Sequence, residues 1–269
     1  MPGRTFRDAE LAGWDRKASS YDGTLGSVTP QAIGPLLDAV GAAPGVRLLD
    51  IACGTGALAA QAERRGTEVV GMDFAPGMVA EAARRHPGVE FRAGDAEAIP
   101  LPDASVDAVT CSFGMLHMER PDRVLAEVAR VLRPGGRFAM TAWTPDGDFF
   151  AVVGEAVNAH ADLGVPLPPA PPIFRFADPG ECRSALLAAG FAEPASRRLD
   201  LVWTGDQPEA VLALLYGGTV RTPMVIEAQR PKVRAEVERA ILRGAERHRR
   251  DDGIIVLRWP ALLTAARRT

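Results

Sequence analysis

The stretch LLDIACGTG at residues 48–56 places a carboxylate just before a glycine-rich turn. Residues 54–59, GTGALA, fit the pattern G-x-G-x-x-G/A between an apolar run and an alanine-rich helical segment. Glycines at such a turn let the backbone approach a ligand closely. Asp73 ends the next apolar run, where a carboxylate can accept the two hydroxyls of a ribose. The pattern predicts a site for a dinucleotide or for another cofactor that contains adenosine.

Asp50 distinguishes between these two kinds of cofactor. A carboxylate at the end of the first strand would repel the pyrophosphate of a dinucleotide, whereas it would attract a cofactor that carries an ammonium group and no phosphate. S-adenosylmethionine has an ammonium and a positively charged sulfonium, so we expect it as the cofactor. A nicotinamide-dependent oxidoreductase is the alternative, and the sequence also lacks the Tyr-x-x-x-Lys pair that would favour it.

Short apolar runs alternate with amphipathic segments between residues 46 and 143, which is typical of βαβ units and a parallel sheet. Proline at the first turn and glycine after the last mark several of the helices. The predicted strands are 47–51, 68–72, 90–93, 108–112 and 136–142, and the predicted helices are 57–65, 76–85 and 121–132. In the third helix we expect one buried face, formed by Val124, Val128, Val131 and Leu132.

The flanking segments complete one predicted domain, in which 1–44 is a helical cap, 45–143 binds the cofactor and 144–269 covers the acceptor and completes the sheet. Two N-terminal helices are expected in 6–22 and 29–42, the second with Thr29 as its N-cap. The segment after Trp143 is rich in proline as far as Phe176 and is expected to be extended and irregular. Further expected elements are a helix opened by Asp178, a strand at 196–203, helices at 208–216 and 225–249, and a last strand at 261–267.

Composition argues for a protein that acts on small molecules. The net charge of −3 and the pI of about 5.9 provide no positive footprint for nucleic acid. No apolar run reaches the roughly 18 residues of a membrane span, and the N-terminus lacks the apolar region of a signal peptide, so a cytoplasmic location is expected. Three widely spaced cysteines without a C-x-x-C pair suggest neither a disulfide framework nor a metal site. The oligomeric state stays open.

Four ordered motifs resemble those of a known family. They are LLDIACGTG, VVGMDFAPGMVAEA, FRAGDAEAIPLPDASVDAVTCSFGMLHM and VLRPGGRFAMTAW, which together cover residues 46–143. They are similar to the motifs of the class I S-adenosylmethionine-dependent methyltransferases, in particular the type 11 and ubiquinone/menaquinone-biosynthesis-like branch. The resemblance implies an α/β, Rossmann-like fold with a seven-stranded, mostly parallel sheet, helices on both faces, and an antiparallel last strand that ALLTAARRT would supply. A non-methylating protein on the same fold is a second alternative.

The resemblance also implies roles for individual residues. Asp73 would hold the ribose, and Ser112 would lie near the sulfonium. Ala52 stands where the family most often has glycine, and we expect an ordinary backbone conformation there. Tyr21 would close over the cofactor, and Trp14, about two helical turns away, would either join it or only pin its helix to the sheet. The remaining implied cofactor contacts are Asp50, Ala52, Gly54 and Gly56 at the methionine end, Phe74 and Met78 beside the adenine, and Asp95 with the backbone of Ala96 at the adenine amino group.

The acceptor side is less specified by the sequence. His117 follows the fourth strand and is either a general base for an acceptor hydroxyl or a loop histidine. Cys53 lies in the glycine turn, but methyl transfer is a direct displacement that needs no enzyme nucleophile. Five aromatic residues follow the fifth strand and predict an apolar pocket for a lipophilic acceptor of phenolic, quinone-like or polyketide-like type. They are Trp143, Phe149, Phe150, Phe174 and Phe176.

Overall fold

A seven-stranded sheet forms the centre of the molecule in the computed structural model, which describes residues 5–269. Two further strands pair with each other in a small separate sheet. The strands are β1 (Arg47–Ile51), β2 (Glu68–Asp73), β3 (Glu90–Ala93), β4 (Val106–Ser112), β5 (Leu132–Trp143), β6 (Phe191–Leu199), β7 (Val202–Gly205), β8 (Ile255–Arg258) and β9 (Ala261–Arg268).

The strand order in the main sheet is β3-β2-β1-β4-β5-β9-β6. The pairs from β3 to β5 are parallel, and β9 runs antiparallel to both β5 and β6, which confirms the mostly parallel sheet with an antiparallel last strand. The chain leaves β1 towards one edge and later returns to its other side with β4. Ligands of open α/β sheets bind beyond the carboxyl ends of the strands at such a switch point.

Helices cover both faces of this sheet, and within residues 5–269 none is long and apolar enough to cross a membrane. Their apolar sides form the two main clusters of buried residues. The helices are α1 (Phe6–Lys17), α2 (Ile33–Val40), α3 (Ala57–Arg64), α4 (Pro76–Arg85), α5 (Pro121–Val131), α6 (Asp148–His160), α7 (Pro179–Ala188), α8 (Glu209–Gly218), α9 (Arg221–Glu227) and α10 (Pro231–Glu246).

The elements between β1 and β5 agree with the predicted alternation. Strands β1 and β3 and helix α4 have the predicted bounds, and the others differ at their ends. The predicted face of α5 is fully buried, because Val124, Val128 and Val131 pack beneath the sheet together with Leu132, where β5 already begins. Asp178 accepts a hydrogen bond from the N–H of Glu181 and caps α7, as expected.

The N-terminal predictions were wrong in two details. Thr29 begins a 3-10 turn that ends at Ala32, and α2 starts only at Ile33. The Thr29 hydroxyl donates to the carbonyl of Leu25, so it serves the preceding turn and does not cap α2. Helix α1 ends at Lys17, which leaves Tyr21 in a separate 3-10 turn.

The segment after Trp143 was also predicted wrongly, because residues 148–160 form helix α6. Apart from Pro145, which precedes the helix, its prolines begin only at Pro166, and the residues between bury Phe149, Val152 and Val153 at helical spacing. Residues 163–172 have no regular structure. The predicted strand at 196–203 is divided between β6 and β7, the helix at 225–249 is divided at Pro231, and β8 was missed.

An ion pair between the buried carboxylate of Asp148 and the guanidinium of Arg258, whose side chain is 72% exposed, links the start of α6 to β8. Asp148 Oδ2 accepts from the backbone N–H and the Nε–H of Arg258 on β8, and Oδ1 accepts from Nη2. Burial acts to raise the pKa of Asp148, but the hydrogen bonds and charge of Arg258 outweigh it and hold that pKa below its ordinary value. The stability contributed by the carboxylate is therefore present above its ordinary pKa and is lost as the pH falls through the lowered value.

We predict that Asp148→Asn lowers the free energy of unfolding at neutral pH by about 1–3 kcal/mol, because it weakens charge-assisted hydrogen bonds at a buried position. Asp200→Asn is the control, since Asp200 pairs with Arg198 at a side chain that is 84% exposed and should change stability by less than about 1 kcal/mol. Denaturant unfolding measures both. Equal losses in the two variants would contradict the structural role of Asp148.

Candidate functional site

Three adjoining cavities lie beyond the carboxyl ends of the strands. We call them the strand-end cavity, the side cavity and the large cavity, and their walls include His117 in every case. The strand-end cavity brings together seven of the predicted cofactor contacts and the candidate base. They are Tyr21, Ala52, Gly54, Asp73, Phe74, Met78, Ser112 and His117.

Asp73 organises the glycine turn. Its Oδ2 accepts from the backbone N–H of Gly54 at 2.9 Å, and its Oδ1 accepts from that of Ala75 at 2.9 Å. Burial raises the pKa of Asp73, against the effect of these hydrogen bonds. Each carboxylate oxygen retains a lone pair, so the residue can accept hydrogen bonds from a ligand while it holds the turn.

The two glycines of the turn face different surroundings. Gly54 has a φ of +54°, and a Cβ built there meets no described atom within 4 Å, so this glycine borders the open space of the strand-end cavity. Gly56 has a φ of +85°, and its Cβ would lie 2.6 Å from Phe91 Cζ and 3.1 Å from Ala82 Cβ. Gly56 therefore lets Phe91 of β3 and Ala82 of α4 pack behind the turn, where sequence reasoning expected a contact with the cofactor.

Asp50 lies behind the turn and is 1% exposed. The hydroxyl of Thr110 donates to its Oδ1 at 2.8 Å, while Oδ2 is buried and has no hydrogen-bond partner among residues 5–269. Burial, together with the negative charge of Asp73, raises the pKa of Asp50 to about 7. A buried carboxylate oxygen without a donor is costly, and a nearby cation or N–H group would relieve that cost.

Ala52 contradicts the expected ordinary backbone, because its φ of +53° lies in the left-handed region that favours glycine. The conformation is required to turn the chain from β1 into the glycine loop. Phe113, just after β4, is also left-handed, with a φ of +56°. A Cβ at Gly114 would lie 2.6 Å from the methyl group of Ala52, so Gly114 gives this methyl its space.

The side cavity contains the two remaining residues of the predicted adenine site, Asp95 and Ala96. Asp95 Oδ1 accepts from the backbone N–H of Glu97, and Oδ2 forms an ion pair with Arg7 at 2.8 Å. Phe74 borders this cavity as well as the strand-end cavity, with the Arg7 guanidinium 6.0 Å from its ring centroid. Arg7 is a neighbour of Asp95 that the sequence did not indicate.

The N-terminal segment covers the strand-end cavity. Trp14 and Tyr21 both line it, and their rings meet edge to face with centroids 5.9 Å apart. Thr55 in the glycine turn donates its hydroxyl to Asp22, and Asp15 accepts from the backbone N–H of Gly77 at the start of α4. The segment is thus attached at several points to the loops that form the cavity.

The large cavity has a volume of about 440 Å³ and mostly apolar walls. Four of the five aromatic residues expected around an acceptor line it, namely Trp143, Phe149, Phe150 and Phe174, whereas Phe176 is buried in the core on the other side. Trp259, which sequence reasoning missed, joins them and stacks on Phe149 with ring centroids 4.0 Å apart. The apolar part of this wall fits a lipophilic molecule.

His117 has a partner that sequence reasoning also missed. Its Nδ1 lies 2.8 Å from Oε2 of Glu10, a side chain on α1 that is 1% exposed. Glu10 is on the same face of α1 as the buried Phe6 and Trp14, and an acid in such an apolar stripe was the signal that could have revealed it.

Burial raises the pKa of the Cys53 thiol, which agrees with its expected lack of a nucleophilic role.

Known proteins share the sequence pattern and the fold. Residues 49–140 match the family described as "Methyltransferase domain". The nocamycin O-methyltransferase of Saccharothrix syringae is 34% identical over 258 residues, which cover 87% of this chain and 90% of that protein. A demethylmenaquinone methyltransferase of Renibacterium salmoninarum is 45% identical over 109 residues, which cover 40% of this chain and 46% of that protein. The latter match spans less than half the length of the relative.

Among solved structures, the chain is similar to Haemonchus contortus phospholethanolamine N-methyltransferase 2 in complex with phosphomonomethylethanolamine and S-adenosylhomocysteine. The TM-score is 0.59 with 18% sequence identity, and the match covers 98% of this chain and 60% of that one. At this level of identity the similarity concerns the fold alone.

The two glycines of the turn provide a matched pair of variants. Gly54→Ala and Gly56→Ala both place a side chain at a left-handed position, which costs about 1–2 kcal/mol of stability. We predict that Gly56→Ala loses about 1–3 kcal/mol more, because its methyl overlaps Phe91. Denaturant unfolding measures the difference, and equal losses in the free energy of unfolding would contradict the close packing of Phe91 behind Gly56.

Binding should reverse the order of the two variants. The methyl group of Gly54→Ala enters the open strand-end cavity, and we expect it to weaken the binding of S-adenosylmethionine more than about tenfold by calorimetry. Folded Gly56→Ala should bind more tightly than folded Gly54→Ala. The opposite order would place the ligand on the other side of the turn.

Proposed function

Because this chain belongs to the class I S-adenosylmethionine-dependent methyltransferases, in their type 11 branch, we propose that it transfers the methyl group of this donor to a small, lipophilic organic acceptor. The observation that carries the proposal is the junction of the strand-end cavity with the large apolar cavity, which share Leu25, Trp143 and His117 in their walls. A methyl donor in the strand-end cavity and an acceptor in the large cavity would meet at this junction, so the methyl group could pass directly from one to the other.

The chemistry of the strand-end cavity, and of Asp50 buried behind its wall, fits S-adenosylmethionine. The partnerless Oδ2 of Asp50 would be relieved by the positive charge of the donor's methionine end, directly or through a water. The open space at Gly54 leaves room for that end, and Asp73 retains lone pairs for the ribose hydroxyls. When bound, the donor supplies an electrophilic methyl group.

The remaining assignments belong to the same proposal. Phe74 and Met78 would flank the adenine, and Asp95 would accept its amino group beside the backbone of Ala96, sharing Oδ2 with Arg7. Tyr21 would cover the donor, and Ala52 and Ser112 would border its reactive end. Gly56 would contribute by shaping the turn from behind.

Catalysis by this arrangement would come mainly from orientation. The walls of the two cavities are fixed by strand ends and by packed aromatic rings, and holding two reactants in line lowers a displacement barrier by several kcal/mol, about 7–11 in the best cases. The names of the relatives described above give no support to a nicotinamide-dependent or a non-methylating activity. They include a small-molecule O-methyltransferase, which agrees with a lipophilic acceptor.

The proposal extends to organisation and location. Residues 1–44 would act as a cap, 45–143 would bind the donor and 144–269 would enclose the acceptor, all within one domain. We propose a cytoplasmic location, and fractionation of cells that express the chain tests this. Small molecules, and not nucleic acids, would be its partners.

Asp50 generates a prediction about pH. Its pKa of about 7 exceeds that of an aspartate in the unfolded chain, so the ligand-free protein loses stability as the pH rises from about 4 through 7. Binding of a cation requires the ionised form of Asp50, so the affinity for S-adenosylmethionine should rise as the pH increases through about 7. We expect Asp50→Asn to unfold at a higher temperature than the original chain at about pH 8 and to bind the donor at least tenfold more weakly.

Calorimetry and thermal unfolding at about pH 6 and 8 measure these effects. Asp200→Asn controls for the change in net charge at an exposed position. An unaltered donor affinity in Asp50→Asn would remove Asp50 from the donor site.

Gly154 generates a prediction about the acceptor. It lines the large cavity on α6, and a Cβ there meets no described atom within 4 Å. Gly154→Trp should fill the cavity and lower methyl transfer by more than about tenfold, while donor affinity stays unchanged. Gly154→Ala is the matched control and should increase stability by up to about 1 kcal/mol.

The assay follows transfer of labelled methyl groups from S-adenosylmethionine to a panel of phenols, quinols and polyketide-like compounds. Turnover that persists in a folded Gly154→Trp protein would place the acceptor outside the large cavity. If the original chain binds the donor but methylates none of the compounds, a lipophilic acceptor is the wrong class.

A further inference from the structure

Glu10 is a buried acid with two ring nitrogens beside its carboxyl group. Oε2 accepts from Nε1 of Trp14 at 3.1 Å and lies 2.8 Å from Nδ1 of His117. The ring of Trp14 also meets that of His117 edge to face, with centroids 4.8 Å apart. Hydrogen bonding and ring packing together fix the imidazole in one orientation.

This arrangement assigns the tautomer of His117. An ionised carboxylate only accepts hydrogen bonds, so a neutral imidazole that bonds to it through Nδ1 carries its proton there and has its lone pair on Nε2. Nε2 has no hydrogen-bond partner in the part of the chain that the structure describes. His117 therefore offers a free proton acceptor.

The position of His117 indicates where Nε2 would accept a proton. His117 borders the strand-end cavity and the large cavity, and Glu10 borders the large cavity beside it. Most of the surrounding wall is apolar, including Leu116, Phe150 and Val153. A polar group of an acceptor that approaches the donor would thus meet Nε2 in otherwise apolar surroundings.

We propose that His117, positioned by Glu10, removes the proton of an acceptor hydroxyl, so that the chain is an O-methyltransferase for weakly acidic hydroxyl groups such as phenols and enols. The inference rests on the proposed function. The hydroxyl oxygen forms its bond to the methyl carbon, the electron pair of the broken carbon–sulfur bond stays on sulfur, and the hydroxyl proton passes to Nε2. The Glu10 carboxylate then neutralises the imidazolium.

The reaction chemistry explains why a base would be useful here. A neutral hydroxyl group is a poor nucleophile, and after methylation its oxygen would carry a positive charge unless the hydroxyl proton leaves. A carboxylate acceptor, which is already ionised, needs no base. A histidine–acid pair at this junction therefore favours hydroxyl groups that retain their proton at neutral pH.

Two phenols test the proposal by their acidity. At about pH 8, 4-methylphenol retains its proton as tyrosine does, whereas 4-nitrophenol is largely ionised. His117→Gln should lower kcat for 4-methylphenol by about 10²-fold and for 4-nitrophenol by less than about threefold, with little change in KM. Glu10→Gln should show the same pattern with a loss of about tenfold. His160→Gln, at the exposed end of α6, is the control and should behave like the original chain.

The tautomer provides a measurement that needs no acceptor. Nitrogen-15 NMR of the labelled full chain should show His117 protonated at Nδ1 and unprotonated at Nε2. A ring protonated mainly at Nε2 would overturn the assignment, because no lone pair would face the acceptor.

The kinetic outcomes separate this inference from the function on which it rests. Equal losses of kcat for the two phenols in His117→Gln would mean that the contact between His117 and Glu10 only docks α1. Donor binding without methylation of either phenol would overturn the assignment of a hydroxyl acceptor. Absence of donor binding by calorimetry in the original chain would instead overturn the proposed function itself.

Discussion

The carboxylate of Asp73 holds the site together, because it accepts from backbone N–H groups on two separate loops. One is Gly54 in the turn after β1, and the other is Ala75 before α4. Asp73 is itself the last residue of β2, so this contact ties the glycine turn to the neighbouring strand. The shape of the strand-end cavity depends on this link, and any ligand bound to Asp73 would contact a residue that also determines the position of the turn.

Helix α1 connects the cofactor side and the acceptor side of the site. It supplies Trp14 to the strand-end cavity, Arg7 to the side cavity and Glu10 to the large cavity. A movement of this helix would change all three walls together. Opening it to admit a donor would also withdraw the partner of His117, so the proposed proton acceptor would be fully assembled only when the helix is closed.

The sequence could predict the parts of the fold that short stretches determine. The strand–turn–helix at 47–64, the carboxylate of Asp73 and the antiparallel last strand follow from local patterns or from the family's motifs. Helix α6 was missed because the prolines beyond it dominated the interpretation, although Phe149, Val152 and Val153 have helical spacing. Glu10 and Trp259 were missed for another reason. Their roles depend on contacts with residues far along the chain, which periodicity cannot reveal.

The left-handed backbone at Ala52 has a consequence for how sequences of this fold can vary. The methyl group of Ala52 occupies the space that a methyl group at Gly114 would need, since the two carbons would be 2.6 Å apart. The two positions lie on different loops but share room for a single methyl group. Their substitutions should therefore be non-additive: glycine at 52 removes one of the two close contacts of an alanine at 114, while the contact with Cys111 Sγ at 2.8 Å remains, so the epistatic coupling between the ends of β1 and β4 is partial.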